Sequence, residues 1–197
     1  MAKHAVKVGL LVLLLLVLIA ACLTGYYFGR VDPLIKAGKR QGVYSTFSDR
    51  PDVTAFGYET LAGQHQTVAA LRGKVVVVDV WATWCGTCLV SIPKLVDLQK
   101  KYHDQPVEIV GVDVDDEGWE KVRPFLKKHP EITYTLAIPY PAASFQFKTI
   151  VDLTPLGNVS AIPTVFVIDR QGRLAGKFIE LGHERQIDDL VAQLLKD

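Results

Sequence analysis

Cysteine is scarce in this chain, at three among 197 residues. So few exclude a scaffold stapled by disulfides. They also leave no second cysteine pair to complete a four-ligand zinc site, so no metal site is expected. Charge of one sign is lacking too. Lys and Arg number 22 against 21 Asp and Glu, for a net charge of +1, and no basic block stands out. Nucleic acid and strongly acidic substrates are therefore not implied as partners. The five histidines show no ligand spacing. No internal repeat is visible, and with 49% hydrophobic residues the composition is not that of a disordered chain.

What the chain has is one domain's worth of residues plus extra segments. Lys3 and Lys7 precede Val8 to Phe28, an uncharged run of 21 residues. At 1.5 Å per residue this run can span a bilayer core of about 30 Å. A permanent anchor over residues 1–29 fits its length. Ile19-Ala20-Ala21-Cys22 also resembles a lipobox that ends in a lipidated cysteine, and a cleaved secretory signal is the third alternative. Residues 30–52 mix Gly, Pro, Ser and charge without periodicity and read as a linker.

From residue 53 onward the periodicity predicts a folded α/β domain. Val53 to Leu61 and Thr67 to Leu71 suggest a hairpin. Lys74 to Trp81 is nearly all β-branched, which predicts a buried central strand. Gly86 to about Tyr102 reads as a helix that Pro93 should kink. A strand is expected over Val107–Val114, a helix over Glu117–Lys128 and a short strand over Thr133–Ala137. Ile138 to Ser160 is irregular and unassigned. Strands Thr164–Asp169 and Leu174–Leu181 flank a turn, and a closing helix follows over Glu184–Leu195.

Residues 81–88 read WATWCGTC. A thiol at the first turn of a helix meets unpaired N–H groups and the positive end of the helix dipole. Both favour thiolate and pull the pKa below about 8.5. Cys85 is thus the expected nucleophile. Cys88, one turn on, is close enough to close a disulfide and resolve a mixed one. Asp79 is a lone acid in an apolar strand. Burial should raise its pKa well above about 3.9 and let it take a proton from Cys88. Trp84 should be partly exposed as a substrate contact, whereas Trp81 and Trp119 belong to packing.

Asp79, WATWCxxC, Pro93 and the distant Ala161-Ile162-Pro163-Thr164 together resemble the membrane-tethered thiol–disulfide oxidoreductases of the TlpA/ResA type, over roughly Val53 to Leu195. The resemblance implies a thioredoxin-like fold: a mixed β-sheet flanked by helices on both faces, with an inserted βα unit and an N-terminal hairpin. It implies a domain outside the cytoplasm, in a bacterial periplasm or at the cell surface, although Arg30, Lys36, Lys39 and Arg40 after the apolar run sit against the positive-inside rule. It also implies disulfide-containing protein substrates, a membrane thiol reductant and no cofactor. Pro163 would be cis and face the disulfide. Ile162 would offer backbone groups to an extended substrate, with Trp84, Gly86 and Thr87 completing the contact surface.

Two departures matter. Relatives of this type place Glu three residues after the second cysteine, where this chain has Ser91, so proton transfer falls to Asp79 and a role in cytochrome c maturation is weakened. Thioredoxins have Gly-Pro between the cysteines, where this chain has Gly86-Thr87. Thr87 supplies a backbone N–H, and a hydroxyl, expected to stabilise the Cys85 thiolate.

Asp113, Asp115, Glu117 and Gly118 open like a calcium loop, but its twelfth position is Pro124, so a strand end and helix cap are expected. Asn158-Val159-Ser160 fits a chance sequon. A peroxiredoxin would need Thr where Ala82 stands. Reducing, oxidising and isomerising directions remain open. The rival from another class is a non-catalytic adaptor or copper-handling module using the CxxC as ligands.

Overall fold

The computed structural model describes residues 44–140, 144–146 and 150–197. The apolar run Val8 to Phe28, Cys22 and most of the 30–52 linker lie outside them. Among the described residues no helix is long and apolar enough to cross a membrane.

The chain opens with β1 (Tyr44–Thr46), within the segment read as linker. A hairpin follows, β2 (Gly57–Thr60) and β3 (His65–Thr67), and then a 3-10 turn over Val68–Leu71. The hairpin expectation holds, but its second strand is His65–Thr67, and Val68–Leu71 coils to bury Val68. β4 (Val75–Trp81) is VVVVDVW, buried on both faces, as its unbroken apolar run requires. The helix α1 (Gly86–Lys101) runs on through Pro93. β5 (Val107–Asp113), α2 (Trp119–Leu126) and β6 (Thr135–Pro139) follow. α2 starts later than Glu117 because Gly118, at φ 49, turns the chain at its N-cap.

The unassigned segment contributes β7 (Ser144–Gln146), β8 (Ile150–Asp152) and β9 (Asn158–Val159), which pair into a small separate sheet. β10 (Thr164–Ile168), β11 (Leu174–Ile179) and α3 (Glu184–Leu194) complete the chain. The β10–β11 turn needs Gly172, whose φ is 84 and whose missing side chain makes room for Thr54.

The main sheet has eight strands in the order β1-β11-β10-β4-β5-β6-β2-β3. β4, β5 and β6 are parallel neighbours, which obliges the crossovers that α1 and α2 supply. β10 lies antiparallel to β4, with Thr164 opposite Val80 and Ile168 opposite Val76. The end of β4 and the start of β10 therefore meet at one edge, where the loops to Cys85 and from Pro163 converge. Trp81, Tyr58, Phe166 and Phe178 are among the largest fully buried side chains beneath it. The structure is the thioredoxin-like fold, a mixed sheet with three helices.

Candidate active site

Residues 82–85 leave the buried end of β4 and turn at once into α1. Cys85 is the helix N-cap, in an extended conformation. Its Sγ accepts the Cys88 N–H at 3.1 Å, the reach of a capping side chain to the third helical residue. Cys85 and Cys88 are joined as a disulfide. Cys85 is 4% exposed and Cys88 0%, so Cys85 is the more accessible residue of the pair. Trp84 stands out at 70% exposure. Gly86 opens the helix with nothing near its missing side chain.

Ile162–Pro163 is a cis peptide. The Thr87 hydroxyl lies 3.3 Å from Cys85 Sγ and 3.5 Å from the Ile162 carbonyl, and so ties the dithiol motif to the Pro163 loop. The structure thus brings Cys85, Cys88, Thr87 and Ile162 together. It corrects one expectation. The backbone donor on Cys85 Sγ is Cys88, not Thr87; Thr87 contributes its hydroxyl, because the second helical N–H is not the one the cap reaches.

Asp79 is fully buried, and neither carboxylate oxygen has a hydrogen-bond partner among the described residues. Burial pushes its pKa up to about 7. Its register partner on β5 is Gly111. A Cβ at Gly111 would lie 2.8 Å from the Tyr134 ring and 3.2 Å from Trp81 Nε1. Among the described residues the Tyr134 hydroxyl and Trp81 Nε1 are also buried without partners. Burial, and secondarily the Asp79 charge, hold the Tyr134 phenol well above its ordinary value.

Two residues read only as a strand end and helix cap brace the loop. Asp115 accepts the Thr83 N–H at 2.7 Å and the Thr83 hydroxyl at 3.1 Å. Asp113 accepts the Asp115 N–H at 3.1 Å, and burial, then the neighbouring Asp115 carboxylate, push its pKa up to about 8. The alternation Val112-Asp113-Val114-Asp115 carried the signal: acids at every second position, continuing the line of a buried strand. Ser91, where Glu was expected from the resemblance, is buried, and its hydroxyl donates to the Cys88 carbonyl at 2.8 Å. With Lys94, Leu95, Pro163, His183 and Ile187 it lines a largely apolar groove between α1 and α3. Among the described residues no three His, Cys, Asp or Glu side chains are grouped to hold a metal ion.

The Redoxin family model matches residues 48–194. The thiol-disulfide oxidoreductase ResA of Bacillus subtilis (strain 168) is 29% identical over 159 residues, covering 81% of this chain and 78% of that protein. A ResA of Bacillus cereus is 28% identical over 134 residues, covering 68% and 71%. A putative thiol:disulfide interchange protein DsbE from Chlorobium tepidum superposes with a TM-score of 0.61 at 25% identity, over 75% of this chain and 98% of that one. A DsbF homologue from Corynebacterium diphtheriae gives 0.62 at 26%, over 80% and 95%. The chain belongs to the Redoxin family and is a thiol–disulfide oxidoreductase of the ResA and DsbE type, with Cys85 and Cys88 as its cysteine pair.

Proposed function

We propose that this Redoxin-family oxidoreductase reduces disulfides of partner proteins from a membrane-tethered position outside the cytoplasm. The observation that carries the chemistry is the Cys85 sulfur at the N-cap of α1, accepting the Cys88 N–H, with the Ile162-Pro163 backbone beside it. In the reduced protein the Cys85 thiolate attacks one sulfur of a partner disulfide. A mixed disulfide forms and the partner's other sulfur leaves as thiolate. Cys88 then gives its proton to Asp79 and attacks Cys85 Sγ. The Cys85–Cys88 disulfide closes, the second partner sulfur leaves, and the partner has gained two electrons. A membrane thiol reductant must return those two electrons.

Trp84, Gly86, Thr87, Ile162 and Pro163 form the substrate-contact surface in this reading. Residues 1–29 serve as anchor, or Cys22 as a lipidation site, ahead of a catalytic domain that already includes β1 at Tyr44–Thr46, so the connection read over 30–52 ends before that strand. The uncharged run Val8 to Phe28 supports attachment. In an insulin-reduction assay the full chain should precipitate insulin chains with dithiol as electron source, and a chain that leaves insulin intact would sink the reductase direction. Carbonate-washed membranes should retain the full chain, and deleting residues 1–29 should release an active domain. Fatty-acid labelling that depends on Cys22 would replace the anchor with a lipid, and recovery in the cytosolic fraction would remove both.

A further inference from the structure

We propose that Thr87 is a redox-operated switch on the backbone carbonyl that receives the substrate, an inference that rests on the oxidoreductase reading above. Its hydroxyl bonds the Ile162 carbonyl while Cys85 and Cys88 are oxidised, and leaves that carbonyl when Cys85 becomes a thiolate.

Three consecutive carbonyls of the Pro163 loop set the argument. The Ala161 carbonyl accepts the Thr164 hydroxyl at 2.6 Å. The Pro163 carbonyl accepts the Glu180 N–H at 2.8 Å. Both bonds are internal to the loop and sheet and do not involve the cysteines. Between them, among the described residues, the Ile162 carbonyl has only the Thr87 hydroxyl, at 3.5 Å. That same hydroxyl is 3.3 Å from Cys85 Sγ. A hydroxyl carries one proton and can donate to one of these acceptors at a time.

The redox state decides which. In the disulfide, Sγ is a weak acceptor and already takes the Cys88 N–H, so the proton goes to the carbonyl. Reduction places a full negative charge on Sγ. A hydrogen bond to an ionised acceptor is roughly twice as strong as a neutral one, so the proton turns to sulfur. The sulfurs separate as their bond breaks, and at Thr87 the change is in the direction of the O–H. The Ile162 carbonyl is then open to the N–H of an extended partner in the state that attacks, and is taken again in the state that must release its product.

The test uses the full chain at pH 8 with the Ile162 carbonyl carbon labelled. Wild type and Thr87→Ser should show a carbonyl resonance that moves between the oxidised and reduced forms; in Thr87→Val, which keeps the shape and lacks the proton, that movement should be lost. With S-carboxymethylated insulin B chain as a non-exchanging peptide probe, reduced wild type should bind about two- to tenfold tighter than oxidised, the ratio one hydrogen bond supports. The ratio should fall to about one in Thr87→Val and be retained in Thr87→Ser. A carbonyl resonance in Thr87→Val that still tracks the redox state as in wild type, or an unchanged binding ratio, overturns the switch. The resonance is read without any substrate, so a chain that failed to reduce insulin would overturn the reductase reading while the carbonyl comparison still decided this one.

Discussion

Replacing Asp79 with asparagine removes the one fully buried carboxyl that has no hydrogen-bond partner among the described residues. Its pKa is lifted from 3.8 to about 7 by burial alone. At 1.36 kcal/mol per pH unit, the charged form costs the folded state about 4 kcal/mol. The sign follows from the direction. Because the folded pKa is raised, the folded state holds a proton that the unfolded chain releases above pH 3.8. Stability therefore falls as pH rises toward 7 and levels off above it. The asparagine amide is also buried without partners, but its cost does not vary with pH. The stability of Asp79→Asn relative to wild type should thus rise by about 3 kcal/mol between pH 4.5 and pH 8. Urea unfolding of the oxidised proteins at several pH values measures this directly. A difference that stays flat across the range would refute the buried, partnerless carboxyl. The same variant should slow resolution by Cys88 more than initial attack by Cys85, and rates unchanged from pH 6 to 9 would reduce Asp79 to a structural residue.

Cys85→Ser should abolish turnover, while Cys88→Ser should accumulate mixed disulfides with partners on non-reducing gels; the reverse pattern would exchange their roles. Ser91→Glu, which puts a carboxyl at the edge of the groove beside Cys88, should restore part of the resolution rate to Asp79→Asn in stopped-flow thiol kinetics, and no rescue would show that the two positions do not share one task. Asp115→Ala should cost about 1.5–3 kcal/mol in urea unfolding, since it strips two bonds to a buried carboxylate from Thr83. Burial works to raise the Asp169 pKa, but the N–H and guanidinium of Arg173 and the Arg50 side chain outweigh it and hold it below 3.8. Its contribution is present above pH 3.8 and lost as pH falls below, so Asp169→Asn should flatten the acid limb of the stability curve measured by circular dichroism.

The parts of the fold that were legible in the sequence are those whose side chains face apolar surroundings on a regular period. β4 announced itself through four consecutive valines, and α1 through Ile92, Leu95, Val96 and Leu98 behind the cysteines. The limits of α2 were not legible, because Glu117 continues its charge pattern while the Gly118 backbone breaks it. Residues 138–160 resisted because β7, β8 and β9 are two or three residues long, shorter than any periodicity needs to declare itself. At the site, Cys85, Cys88 and Asp79 could be named from type and spacing. Asp115 and Tyr134 could not, since each acts on a residue distant in the chain: Asp115 on Thr83 and Tyr134 beside Asp79. The Thr87 hydroxyl was visible as a donor, but its second acceptor, Ile162, stands 75 residues away.

Among the described residues, the two outer strands of the main sheet, β1 and β3, are each three residues long. In the reading proposed above the partners carry disulfides, and a partner that is not fully folded presents unpaired, adhesive strands. A long, flat outer strand would recruit them indiscriminately and seed aggregates. Along the described residues such a visitor finds few ladder bonds at either margin. Under the proposed function, a chain that lodges long enough to react would grip the Pro163 loop, next to the sulfur, which favours chains that bring a disulfide.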